Sequence, residues 1–161
     1  MVILKAVNVA LVRVHESATH ANVRLDRYDL DKHCPLNEFK AFSVKLEEGD
    51  IDRVFLLNCG FAAYTEGGTC KLKDVRPDLL LHDLVRKIIE NACFPVSPDQ
   101  ALLMVSADEK CGPLIVYDAN HRAMAQYLTQ KSVQDVLAYV CVHGRINEWR
   151  FCHRWPVASP C

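Results

Sequence analysis

The residues best suited to chemistry lie in one short run, Asp118-Ala119-Asn120-His121-Arg122. It sits between the apolar stretch Leu114–Tyr117 and the small residues around Ala123 and Ala125. A buried strand that turns straight into a helix presents unpaired first-turn N–H groups and the positive end of the helix dipole. Such a junction attracts anions. Asn120 and His121 add hydrogen-bond donors, and Arg122 adds a planar fork that matches phosphate oxygens. The run reads as a phosphate pocket made by Ala119, Asn120, His121 and Arg122. His121 suits general acid/base work and Arg122 suits stabilising charge that develops on a phosphoryl group. Asp118 either caps the helix or holds a divalent metal beside the phosphates, which would make it a third catalytic candidate. A plainer reading competes. Asp and Asn are ordinary capping residues, His121 can bond a backbone carbonyl, and Arg122 can form a surface ion pair.

Three further clusters invite a functional reading. In the tail, Arg145, Arg150 and Arg154 interleave with Trp149, Phe151 and Trp155. Arginine beside aromatic rings suits stacking on single-stranded bases. It equally suits a protein interface, and a core tryptophan with solvated arginines explains the same pattern. Glu47-Glu48 and Asp50-Ile51-Asp52 either hold a metal or are solvated turn charge. Eight cysteines occur without any C-x-x-C pair, so the common zinc spacing is missing. His33–Cys34 and Cys152–His153 remain a conceivable metal pair, against the ordinary reading of free cysteine as a small buried apolar residue.

The elements that must position these residues follow from periodicity. Alternation predicts strands over Val7–Val14, Asn22–Leu30, Phe39–Leu46 and Arg53–Leu57. Leu80, Leu81, Leu84, Val85, Ile88 and Ile89 form an apolar stripe that predicts a helix starting near Asp78, with His82, Asp83, Arg86, Lys87 and Glu90 facing elsewhere. Phe94–Pro98 should end it. Gln100–Ser106 and Pro113–Tyr117 read as buried strands joined through Asp108–Gly112. A helix from the 118–122 junction to about Gln130 and a third buried strand, Val136–Val142, complete the pattern. The expected fold is one α+β domain with a mixed sheet and few helices.

Composition narrows the classes. With 161 residues, half of them hydrophobic, a packed core is within reach and a disordered chain is excluded. The net charge of -1 argues against a domain that wraps duplex DNA by charge alone. No apolar run reaches the ~18 residues of a membrane span, and no leader pattern is visible at the N-terminus. The expected residence is cytoplasmic, or peripheral at an inner membrane.

The segment Leu114–Ala125 resembles the signature of the ParB/sulfiredoxin superfamily, in which a strand enters a Gly-x-His-Arg or Gly-x-x-Arg turn and an Ala-rich helix. Ala119-Asn120-His121-Arg122 occupies that turn, and Ala125 matches the helix alanine. The resemblance covers roughly residues 75–142 and leaves the strand-rich residues 1–70 as an N-terminal extension and 143–161 as a basic aromatic tail. It implies that the turn binds the phosphates of a nucleotide, ATP with magnesium, or a nucleic-acid backbone. Arg86 and Lys87 lie near where sulfiredoxins supply further phosphate contacts. Two departures matter. Asn120 stands where sulfiredoxins carry their catalytic cysteine, and an amide cannot serve as the thiolate nucleophile. Ala119 replaces the signature glycine. Only about 19 residues follow Val142, too few for the helix-turn-helix domain of partition proteins. The outline is similar to the plasmid fertility-inhibition factors, the group that includes the oncogenic suppression activity proteins. That resemblance implies ATPase and DNase activities, DNA and a conjugative transfer apparatus as partners, and a block on DNA transfer. The alternative is a non-catalytic interaction protein with a vestigial nucleotide pocket.

Overall fold

The computed structural model describes residues 1–7, 30–108, 110 and 112–149. The expected strands beyond Val7 and up to Leu30 lie outside the described residues, as do Cys152, His153 and the tail positions Arg150, Arg154 and Trp155. The fold is α+β: a mixed six-stranded sheet with few helices. Its strands are β1 (Val2–Val7), β2 (Lys40–Lys45), β3 (Val54–Leu56), β4 (Leu102–Ser106), β5 (Leu114–Asp118) and β6 (Leu137–Val142). The helices are α1 (Leu30–His33), α2 (Asp83–Glu90) and α3 (Asn120–Gln130).

Sheet order is β1-β2-β6-β4-β5-β3. β4 runs parallel to β6 and antiparallel to β5, while β5 runs parallel to β3. The three buried strands of the second half therefore form the centre. Strands from the first half flank that centre on both sides, β2 against β6 and β3 against β5. All five residues of β4 are buried. This accounts for its unbroken apolar run, since a central strand covered on both faces has no solvent side to alternate with.

Alternating side chains sort the core into two layers. Met104, Val116 and Val140 join Val85, Met124 and Leu128 under α2 and α3. Leu103, Val105, Ile115, Tyr117 and Cys141 face the other way and pack with Leu30, Phe39, Ile146 and Trp149. The β4–β5 hairpin is held from outside by Arg53, whose Nε donates to the Gly112 carbonyl at 3.0 Å and whose Nη1 donates to the Lys110 carbonyl. A Cβ at Gly112 would lie 3.0 Å from Ser106 Oγ and 3.1 Å from Asp108 Oδ2, so a larger residue there would make these neighbours give by a few tenths of an ångström.

The predicted helix over the leucine stripe is corrected. A 3-10 turn covers Pro77–Leu81, His82 is extended at φ -67 and ψ 127, and the α-helix begins only at Asp83. It ends at Glu90, before the Phe94–Pro98 segment. The break rotates the register, so Leu79 and Val85 are buried while Leu81 is 79% and Leu84 50% exposed. Local periodicity lost to tertiary contact, because the ring of His82 packs away from the stripe onto α3.

The acidic run is also accounted for. Asp50 and Glu47 take the Met1 ammonium at 2.6 and 2.7 Å, and Asp52 pairs with Lys73 at 2.6 Å. Among the described residues no group of three or more His, Cys, Asp or Glu side chains forms a metal cluster. Cys34, Cys59, Cys70, Cys93 and Cys141 are free thiols. Burial pushes the Cys34 thiol up to about 11, and the Cys152–His153 half of the conceivable metal pair lies outside the described residues.

Trp149 is fully buried against Tyr117, with ring centroids 6.0 Å apart. Trp149→Ala should cost about 3–5 kcal/mol of stability, measured by urea denaturation. A loss under 1 kcal/mol would show that this side chain does not anchor the second layer.

Candidate functional site

The junction between β5 and α3 lies at the carboxyl end of β5, beside the carboxyl end of its parallel neighbour β3. In open sheets that contain parallel strands, ligands gather outside such ends. The chain turns there through a single left-handed residue, Ala119, at φ 66 and ψ 33. A left-handed alanine costs roughly 1–2 kcal/mol relative to its right-handed form, and glycine avoids that cost. The backbone thus adopts the conformation a glycine would favour, although the residue is alanine. Ala119 is the helix N-cap and makes no side-chain cap bond, so Asp118 is not the cap; it is the last residue of β5 and half-buried. The Ala119 carbonyl accepts from the amides of Arg122 at 2.9 Å and Ala123 at 3.0 Å, which starts the helix.

The three polar residues that follow diverge. Asn120 is 6% exposed and points inward, its Oδ1 accepting from the Leu57 amide at 2.9 Å. That bond ties the turn to the chain just past β3. Arg122 is half-buried, and its Nη1 donates to the Gln100 carbonyl at 2.7 Å. Burial weakens its hold on its proton, an effect that the Asp118 carboxylate opposes. The guanidinium therefore lies at the corner but braces the entry to β4.

His121 goes to a different neighbourhood. Its ring meets Phe61 edge-on at 5.3 Å, stacks near His82 at 5.2 Å with 26° between planes, and lies 6.3 Å from Tyr64. Tyr64 Oη makes a long 3.5 Å contact with His82 Nε2, and His82 Nδ1 is buried without a hydrogen-bond partner among the described residues. Burial, and then the nearby His82, hold the His121 imidazole below its ordinary pKa. It is consequently neutral at neutral pH, with one ring nitrogen donating and the other accepting.

The structure thus joins Asp118, Ala119, Asn120, His121 and Arg122 at one corner, adding His82, Tyr64 and Phe61, which sequence reasoning missed. It does not gather the rest. The Arg86 guanidinium is taken by Asp83 at 3.0 Å and Glu90 at 3.7 Å on its own helix. Lys87 is exposed on α2. Trp149 is a core residue, so its expected role as a nucleic-acid or partner contact is withdrawn. Arg145 pairs with Glu148 at 2.9 Å. It lines a groove of about 780 Å³ at the opposite end of the sheet, together with Glu38, Lys40, Asp108, Lys110 and His143. In that groove His143 Nε2 meets Glu38 at 3.1 Å.

No family model, no curated protein and no solved structure matches this chain.

Two substitutions test the construction of the corner. Asn120→Ala strands the buried Leu57 amide and should cost about 1–3 kcal/mol. Ala119→Gly should stabilise the protein by up to about 1 kcal/mol, because relief of left-handed strain exceeds the added chain entropy. Both are read from thermal or urea melts. A destabilised Ala119→Gly would mean that the turn is not strained.

Proposed function

We propose that this chain binds a phosphate-bearing ligand at the Ala119–Arg122 turn, in the manner of a stand-alone ParB/sulfiredoxin-like domain, and that it acts as a binding protein. The observation that carries this reading is the left-handed Ala119 at the strand-to-helix junction. The chain holds a strained left-handed turn there, at the start of an eleven-residue helix whose dipole favours an anion. The ligand class is a nucleotide such as ATP with a divalent cation, magnesium first, or the backbone of DNA. Magnesium keeps most of its water and needs only one or two carboxylates beside the phosphates, and half-exposed Asp118 at the strand end is a carboxylate of that kind.

Binding without turnover is favoured by what Asn120 and Arg122 do. Each bonds a backbone group at under 3 Å, so both brace the corner. On this view the biological role is that of a fertility-inhibition factor. It would block conjugative DNA transfer by occupying a component of the transfer apparatus or a DNA–protein substrate. No helix among the described residues is long and apolar enough to cross a membrane. A peripheral place at an inner membrane therefore belongs to the same proposal.

One observation favours the second reading, an ATPase and metal-assisted DNase. Burial holds His121 below its ordinary pKa, as a general base needs, and among the described residues no backbone group is bonded to its ring. A titration separates the two. A non-hydrolysable ATP analogue with magnesium should shift the amide signals of Ala119–Ala123, while ATP turnover and DNA cleavage stay at background. Turnover that disappears in His121→Ala would establish the enzyme instead. Unmoved signals across the turn, with either the analogue or a short DNA, would remove the phosphate reading altogether.

A further inference from the structure

The groove at the other end of the sheet has a construction of its own. It lies outside the carboxyl ends of β4 and β6, parallel neighbours in which Ser106 stands beside Val142. The His143 amide donates to the Ser106 carbonyl at 3.1 Å, and past that bond the two chains part. β4 continues through Ala107 and Asp108 into the hairpin toward β5, within the sheet. β6 continues through Gly144 and Arg145 toward Ile146 and Trp149, in the core layer away from α2 and α3. Ligands in open sheets gather outside the carboxyl ends of parallel strands. The volume, about 780 Å³, is that of a site for a small organic molecule.

One wall is built around His143. Its side chain is 5% exposed, and its ring lies 5.0 Å from that of Phe39 between centroids. Nδ1 accepts from the Arg145 amide at 3.1 Å. The ring proton therefore sits on Nε2, which donates to the Glu38 carboxylate at 3.1 Å. Glu38 itself is 56% exposed. A carboxylate that open to water needs no buried donor to solvate it. The buried imidazole instead fixes its direction, as a supporting hydrogen bond fixes a binding group.

The charges of the lining then select the ligand. Arg145 is taken by Glu148 at 2.9 Å, and Lys40 and Asp108 have interactions of their own. Among the described residues the second Glu38 oxygen has no hydrogen bond, and the Lys110 ammonium has neither a hydrogen bond nor an ion pair. One acid and one base thus face the same groove without pairing with each other. An acid alone would select a cation and a base alone an anion; together they select a molecule that carries both. Ala107 and Val142 add apolar lining.

We propose that the groove binds a short peptide with free ends, its ammonium on Glu38 and its carboxylate on Lys110. The volume exceeds what a single α-amino acid fills, so the two charges sit at the ends of a short chain whose apolar side chains meet Ala107 and Val142. His143 is a positioning residue that acts through Glu38. The site shares no residue with the Ala119–Arg122 turn and stands independently of the phosphate reading.

The test titrates the full chain with alanyl-leucyl-alanine, with its N-acetylated form and with its C-amidated form, followed by calorimetry and by the amide signals of Ala107 and Gly144. The free peptide should bind saturably and shift both amides, and each blocked form should bind about tenfold more weakly. Glu38→Gln should erase the advantage of the free peptide over the acetylated form alone, and Lys110→Met its advantage over the amidated form alone. The blocked peptides test the wild-type chain whether or not either variant folds. Undiminished binding of the acetylated form would make the groove a plain anion site, and undiminished binding of the amidated form a plain cation site; either overturns the inference. So would losses on blocking that persist in both variants, a peptide that binds without moving Ala107 and Gly144, or no binding at millimolar peptide.

Discussion

The bond from the Leu57 amide to the Asn120 side chain is the constraint on which the corner depends. It joins the chain leaving β3 to the first residue of α3, across the end of the parallel β3–β5 pair. Both partners are buried, so neither can fall back on water. The same turn has Ala119 left-handed at φ 66 and ψ 33, and the helix follows directly from it. His121 and Arg122 then leave the helix on diverging paths. One side chain reaches the aromatic niche and the other reaches the carbonyl before β4.

This arrangement changes the meaning of the Asn-His-Arg run. In a phosphate loop built from glycines, the backbone approaches the ligand and the side chains are free to contact it. Here two of the three side chains hold the turn in place of a glycine's freedom. What the described residues leave for a ligand is the start of α3 and the half-buried imidazole of His121. That inventory suits recognition of an anion more readily than catalysis on it, because hydrolysis needs its charged groups placed on the transition state. Asn120 is an inward-facing amide that supports the fold and offers no nucleophile.

The two faces of the sheet serve different ends. Under α2 and α3 the core positions the candidate site. The other face carries Trp149, Tyr117 and the chain around Cys34 and Ile146, and ends in the charged groove at the far edge. The aromatic and basic character of the segment after Val142 thus divides in space. Its described tryptophan anchors the core, and Arg145 lies in the groove in an ion pair. Of the interleaved pattern, the described residues supply one aromatic anchor and one solvated salt bridge.

Sequence by itself determined much of the frame. The apolar runs of β4, β5 and β6 and the start of α3 were legible because buried central strands need continuous apolar residues and a helix needs a polar junction. The junction was legible as a strand-to-helix boundary with Asn, His and Arg. Tertiary structure alone decided where those side chains go. Asn120 and Arg122 found buried backbone partners 63 and 22 residues away, and no local pattern encodes such pairings. His82 was read as a solvent-facing residue of a long helix, yet the helix breaks there and the ring stacks on His121. The segment from Leu57 to His82 consists mainly of 3-10 turns with no repeating apolar period. Its aromatic residues therefore carry no signal of their destination until the sheet brings them to the start of α3.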